Sequence, residues 1–129
     1  MAQPHRGRRL SEREWRYYHS LHATLVDRYC RRILKDVAEI AADTEGRPHD
    51  QYRRLWTLLQ ERDQALGLAF NDPRRSDAFR QVATVRLLDL FTEEEMRQFS
   101  PETQAAVEQV VSLTRASRAG EEGQDGAAP

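Results

Sequence analysis

The sequence contains a single cysteine, Cys30, and a single lysine, Lys35, in 129 residues. One cysteine excludes an intramolecular disulfide and any zinc site built on Cys-x-x-Cys, and it is typical of a reducing compartment. Nineteen of the twenty basic residues are consequently arginine. We interpret this skew as the composition of a GC-rich genome, which weakens the argument that any one arginine was selected for a bidentate contact.

Long apolar runs and glycine-rich loops are also missing. No segment approaches the ~18 consecutive apolar residues of a membrane span, and the basic N-terminus MAQPHRGRRL lacks the apolar region of a secretory signal. We therefore expect a cytoplasmic protein with no membrane partner. The six glycines form neither a P-loop nor a dinucleotide-binding fingerprint, and we predict no cofactor.

Motifs for metal binding and catalysis are absent as well. The sequence has no His-Glu-x-x-His and no Glu-x-x-His pair. His19 and His22 share a helix face without a further ligand beside them, so we predict no metal and expect His22 to be a hydrogen-bonded core or interface residue. Cys30 lies about 12 Å along the helix from His22, too far for direct activation as a nucleophile. We predict no catalytic residues, which favours a protein that is not an enzyme. A site assembled only in space would be invisible here.

The sequence is instead rich in helical periodicity. Ser11–Glu14 matches a capping box, and no glycine or proline follows it until Gly46. The pattern predicts a first helix over residues 11–42, about 48 Å long at 1.5 Å per residue. Its apolar face is formed by Tyr18, His22, Leu25, Val26, Tyr29, Ile33, Val37 and Ile40.

Shorter helical segments follow the turn DTEGRPHD. Asp72 is predicted to cap a third helix with Pro73 at its first position, and Thr92–Glu95 matches a second capping box. The predicted fold is all-α: a long N-terminal helix in a helical hairpin, elaborated into a four- or five-helix bundle. We predict a flexible basic arm over residues 1–10, a single helical domain over 11–118 and a disordered acidic tail with glycine and alanine over 119–129.

The length of the first helix predicts association. The second helix is too short to cover it, yet the apolar face continues from Trp15 to Ile40. We therefore predict a homo-oligomer, most simply a two-fold dimer, or a complex with a protein partner. Exposed tryptophan and tyrosine are typical of interface hot spots; the alternative is that these rings fill the wide end of the bundle. The predicted partner-binding residues are Trp15, Tyr17, Tyr18, Tyr52 and Trp56.

The basic residues near the N-terminus suggest an alternative function, that of a helical accessory or regulatory protein that binds nucleic acid or phosphate. A flexible arginine arm followed by arginines on the first helix can contact phosphates. The net charge of -1 and the acids Glu12 and Asp27 on the same side count against it. The residues concerned are Arg6, Arg8, Arg9, Arg13 and Arg16.

Two adjacent arginines further along the chain raise the question of an anion site. In FNDPRRSDAF, the residues Arg74, Arg75 and Ser76 follow the predicted start of the third helix. Backbone N–H groups and the helix dipole attract anions at such a position. The alternative is a structural corner between two helices with solvated or ion-paired arginines.

Overall fold

The computed structural model describes residues 8–71 and 75–127, with side chains up to residue 121 except that of Arg75. These residues form five α-helices and no strand, which confirms the predicted all-α bundle. A single 3₁₀ turn, Arg75–Asp77, precedes the third helix. The helices are α1 Glu12–Ala42, α2 Pro48–Phe70, α3 Ala78–Leu87, α4 Glu93–Arg97 and α5 Pro101–Ala127.

One carboxylate fixes the start of two helices. The Ser11 hydroxyl accepts the Glu14 N–H at 3.1 Å and Glu14 Oε1 accepts the Ser11 N–H at 3.0 Å, which confirms the first capping box. Glu14 Oε2 also accepts the N–H of Ser100 at 3.0 Å. Ser100 in turn caps α5, since its hydroxyl accepts the Thr103 N–H at 3.2 Å. The buried Glu14 side chain therefore joins the beginnings of α1 and α5.

Helices α1 and α2 form the predicted antiparallel hairpin. At its closed end the Gln51 side-chain amide donates to the carbonyl oxygens of Ile40 at 2.7 Å and Ala41 at 2.9 Å. Arg54 pairs with Asp43 at 3.0 Å across the turn. These contacts set the register of the hairpin, because they place position 51 beside positions 40 and 41.

Among the described residues, the buried core lies at one end of the molecule. Helices α3, α4 and α5 cover the N-terminal half of α1 and the C-terminal end of α2, while no residue between 30 and 68 is buried. We call residues 30–68 the distal hairpin, because they extend beyond the core. The largest fully buried side chains belong to Leu10, Tyr18, Leu25, Val82, Val85, Leu90, Phe99, Val107 and Val111.

A buried polar chain links three helices within this core. The Tyr18 hydroxyl donates to Gln81 Oε1 at 3.1 Å, and Gln81 Nε2 donates to the Asn71 carbonyl at 2.9 Å. Tyr18 is fully buried and Gln81 nearly so. Burial also raises the pKa of Tyr18 above its ordinary value, so the hydroxyl stays protonated and remains a donor.

Replacing Tyr18 by phenylalanine is expected to lower the free energy of unfolding by about 1–3 kcal/mol, because the Gln81 oxygen loses its partner in a site closed to water. Urea unfolding followed by circular dichroism measures the change. Tyr52→Phe is the control, since Tyr52 is exposed, and it should change stability by less than about 0.5 kcal/mol. Equal losses in the two variants would contradict this account of the buried chain.

Two boundaries differ from the sequence pattern. The described part of α3 begins at Ala78, after the 3₁₀ turn, and its N-cap Asp77 makes no side-chain capping bond; the predicted cap, Asp72 with Pro73, lies outside the described residues. Helix α5 continues to Ala127, past the predicted domain end at residue 118. The division into arm, domain and tail stays a prediction.

Candidate interaction surface

Large apolar side chains are exposed on the distal hairpin. Leu34 is 65% exposed on α1, and Tyr52, Trp56 and Leu59 are 63%, 56% and 40% exposed on α2. The three α2 residues are spaced at i, i+4 and i+7, so they lie on one face of that helix. Leu34, Ala38 and Ala41 have the same spacing on α1. Each helix therefore carries one outward-facing apolar row.

Both rows lie on the same side of the hairpin. A shallow groove of about 240 Å³ is lined by Ala41 and Tyr52 together with Ile40 and Leu55, so the ends of the two rows meet across the line between the helices. The other members of each row follow from their helical spacing. We call this surface the open face; its central residues are Leu34, Ala38, Ala41, Tyr52, Trp56 and Leu59.

The opposite side of the distal hairpin has a different chemistry. The groove there is lined mainly by the polar residues Asp50, Arg53, Arg54 and Glu61. Charged side chains on that side are hydrated and need no cover, whereas the open face leaves apolar area in water. The hairpin is therefore amphipathic in cross-section, with one side suited to burial.

Within the part of the chain that the structure describes, helices α3, α4 and α5 lie on the other side of α1 from Leu34. Leu25 is buried in the core, and Arg32 donates to the Leu88 carbonyl beyond the end of α3 at 2.5 Å. At about 100° per residue, both point roughly 160–180° away from Leu34. Arg28, which pairs with Glu95 at 2.8 Å, makes a further contact with α4. Helices α3, α4 and α5 thus pack against the other side of α1.

The open face continues toward the core end of the hairpin. A groove of about 340 Å³ there is lined by Val26, Leu66 and Phe70 together with the polar residues His22, Asp63 and Asn71. From His22 to Ala41 the face is about 28 Å long, and two helices side by side are about 20 Å wide. The resulting area of about 600 Å² per copy reaches the lower end of the range for specific, stable interfaces, about 1,200 Å² in total.

The five predicted partner-binding residues do not form one cluster. Tyr52 and Trp56 lie on the open face. Tyr17 is half-buried; its hydroxyl donates to the Glu95 carbonyl at 3.3 Å. Trp15 is also half-buried and packs against His19 with ring centroids 5.4 Å apart. The antiparallel hairpin puts Tyr52 beside Ala41, about 36 Å along α1 from Tyr17.

The prediction that Tyr18 is a partner-binding residue requires a correction. Its side chain is fully buried and hydrogen-bonded to Gln81, so it presents no surface to a partner. The sequence pattern placed Tyr18 on the apolar face of α1, but it could not say which part of that face α3 and α5 would cover. Conversely, Leu34 and Leu59 belong to the open face but were not among the predicted partner-binding residues. The available signal was the i, i+4, i+7 spacing that Leu34 shares with Ala38 and Ala41, and that Leu59 shares with Tyr52 and Trp56.

Several of the basic residues proposed to bind nucleic acid make contacts within the chain. The Arg8 guanidinium lies over the Phe79 ring, 5.7 Å from its centroid. Arg13 donates to the Gln98 carbonyl at 2.9 Å, and Arg16 pairs with Glu12 at 2.8 Å. The contacts of Arg13 and Arg16 are exposed and leave both side chains accessible to solvent. Arg9 is exposed and Arg6 lies outside the described residues. Nucleic-acid binding stays a prediction.

The predicted anion site cannot be assembled from the described residues. Arg74 and the side chain of Arg75 lie outside them, and Ser76 is exposed within the 3₁₀ turn. Anion binding by these three residues stays a prediction.

The histidines have structural contacts. His22 Nε2 lies 3.2 Å from the Phe70 carbonyl, and its ring packs edge-on against Phe70. No group of three or more potential metal ligands is brought together within the described residues. In the same part of the chain, no helix combines the length and apolarity needed to span a bilayer.

Comparisons with known proteins add no family to these observations. No family model, no curated protein and no solved structure matches the chain.

Proposed function

We propose that this protein is a non-catalytic association module that forms a two-fold homodimer through the open face of its α1–α2 hairpin. The observation that carries the proposal is the pair of exposed apolar rows that contain Leu34 on α1 and Trp56 on α2. Two such hairpins packed face to face form a four-helix bundle, in which both rows become core. Closed two-fold dimers are the commonest symmetric assembly.

The chemistry of the face supports protein as the partner. Tryptophan and tyrosine provide most of the binding energy at many protein interfaces, and Trp56 lies near the centre of the distal part of this face with Tyr52 beside it. The face also contains a charge, because Asp63 continues the α2 row at i+4 from Leu59 and lines the groove near the core end. A second copy supplies the same apolar face and needs no other component.

Sedimentation velocity across a concentration series tests the proposal. We expect the mass to rise to that of a dimer at tens of micromolar chain, and to do so at high salt as well, because apolar burial is not screened by ions. A strictly monomeric species at tens of micromolar would overturn the proposal. Dissociation by salt alone would overturn the assignment of an apolar interface.

A further inference from the structure

A second groove lies at the core end of the molecule, between α3 and α5. It encloses about 420 Å³, which is within the range typical of small-molecule sites. Ala83 and Val111 are buried and form its deeper part, whereas Leu68 of α2 is 80% exposed at its rim. We call it the α3–α5 groove; its apolar lining consists of Leu68, Ala83, Leu87, Val110 and Val111.

The charged side chains in this lining are of one sign. Arg80 and Arg118 line the groove, and none of the described residues that line it is acidic. Arg80 lies 3.6 Å from the carboxylate of Asp77, which is too long for a hydrogen bond, and its side chain is 81% exposed. Arg118 is exposed as well. Positive charge therefore lies beside apolar surface.

The remaining polar side chains of the lining are two threonines whose protons are already used. The Thr84 hydroxyl donates to the Arg80 carbonyl at 3.0 Å, and the Thr114 hydroxyl donates to the Val110 carbonyl at 2.9 Å. Among the described lining side chains, the two guanidinium groups are thus the donors that a ligand can use. A matching ligand combines an anionic acceptor with an apolar body.

The size of the groove favours a small ligand over a helical peptide. Along α3 the groove runs from Arg80 to Leu87, about 10 Å at 1.5 Å per residue. Two turns of an α-helix about 10 Å in diameter occupy roughly 850 Å³, about twice the volume of the groove. An extended aliphatic chain is much narrower than a helix and can lie between α3 and α5.

We propose that the α3–α5 groove binds a small aliphatic anion, such as a medium-chain carboxylate. The chain lies against the apolar lining, and the carboxylate accepts hydrogen bonds from the guanidinium groups of Arg80 and Arg118, a pairing that is stronger than one between neutral groups. The site contains no residue of the open face. It is therefore independent of the proposed dimer and can be tested whether or not the dimer forms.

Titration of the ¹⁵N-labelled protein with decanoate, below its micellar concentration, tests the proposal by nuclear magnetic resonance. We expect saturable shifts of the backbone amides of Ala83, Thr84, Val110 and Thr114. Decyltrimethylammonium has the same chain with a cationic head and should leave these amides unchanged. Butanoate has the carboxylate with little chain and should bind much more weakly, because it buries less apolar area.

Two arginine substitutions test the anionic half of the site. Arg80→Gln together with Arg118→Gln should weaken decanoate binding at least about tenfold, because the carboxylate loses its charged donors. Both residues are exposed, so we expect the helical fold to persist, which circular dichroism checks. Arg16→Gln with Arg53→Gln is the matched control: it changes the charge equally at two exposed arginines outside the groove and should leave the affinity unchanged.

Several results would overturn the proposal. These are the absence of saturable shifts with decanoate, equal binding of decyltrimethylammonium, and equal losses in the two arginine variants. Shifts confined to Ala38, Trp56 and their neighbours would show that decanoate covers the open face instead. If decanoate fails but a helical peptide with leucines at i, i+4 and i+7 flanked by glutamates binds in the groove, the ligand is a protein segment and the assignment of a small anion is wrong.

Discussion

Replacing Trp56 by glutamate is expected to weaken the dimer by about 100-fold or more while leaving the helical fold intact. Trp56 is 56% exposed in the chain and belongs to no buried cluster, so the substitution costs the monomer little. In the dimer, loss of a central tryptophan typically costs about 2 kcal/mol or more, and the new carboxylate would be buried without a partner. Because a two-fold dimer contains Trp56 twice, the lost contact and the buried carboxylate each occur twice in the interface.

Two exposed leucines outside the open face serve as controls for Trp56→Glu. Leu68 is 80% exposed on another side of α2, and Leu113 is 58% exposed on α5. Leu68→Glu and Leu113→Glu introduce the same charge on equally apolar positions. Sedimentation equilibrium should give dimer affinities close to that of the unaltered chain for both. If either control dissociates the dimer as strongly as Trp56→Glu, the interface lies elsewhere or the effect is one of net charge.

Replacing Glu14 by alanine is expected to reduce the free energy of unfolding by about 2–4 kcal/mol. The substitution removes an N-terminal capping interaction of α1, worth about 1 kcal/mol, and leaves the Ser11 and Ser100 N–H groups without their charged acceptor. Glu14 is only 4% exposed, so water does not readily replace these bonds. Urea unfolding measures the loss.

Glu12 provides a matched control two residues away. Its carboxylate pairs with Arg16, but the two side chains are 62% and 75% exposed. Exposed pairs of this kind contribute at most about 1 kcal/mol. Glu12→Ala should therefore change stability little. A loss comparable to that of Glu14→Ala would indicate that helix propensity at the start of α1, rather than the double cap, determines the effect.

The contribution of Glu14 should also depend on pH. Burial alone would raise the pKa of Glu14, but the N–H groups of Ser100 and Ser11 and the hydroxyls of Thr103 and Ser11 outweigh it, and the pKa lies below its ordinary value of 4.5. Because the folded pKa is lower than the unfolded one, the stabilisation is complete above pH 4.5 and is lost as the pH falls through the folded pKa.

Unfolding experiments at neutral and acidic pH check the direction of this pH dependence. The stability difference between the unaltered chain and Glu14→Ala should shrink as the pH falls below 4.5. Glu95 contributes a parallel loss in both proteins, since hydrogen bonds from Arg28 lower its pKa, and it cancels in the difference. A difference that stays constant with pH would show that the Glu14 charge is not what stabilises the caps.

Features that depend only on residues close together in the chain could be predicted from the sequence. Both capping boxes, at Ser11–Glu14 and Thr92–Glu95, span four residues and depend only on local hydrogen bonds. The period of the apolar residues predicted α1 nearly to its ends, because that period is a property of the helix itself. The hairpin followed from the long helix and the turn DTEGRPHD.

Contacts between residues that are far apart in the sequence could not be predicted in this way. Glu14 and Ser100 are 86 positions apart, and Arg28 and Glu95 are 67 apart. One sequence shows that each residue is polar but not which one it meets. The half-buried ion pair of Arg28 exists only because α4 folds back against α1.

The sequence by itself determined that this protein is a helical bundle with an unusually long first helix whose apolar face exceeds what the next helix can cover. Only the tertiary structure decided what covers that face and which apolar residues elsewhere stay exposed. Tyr18 and Leu25 are buried in the core, where Tyr18 is hydrogen-bonded to Gln81 of α3. Leu34 on the opposite side of α1, and Tyr52 and Trp56 on α2, remain exposed beyond the core. The physical reason is that helical periodicity fixes the direction of each side chain, while burial depends on which distant helix arrives in that direction.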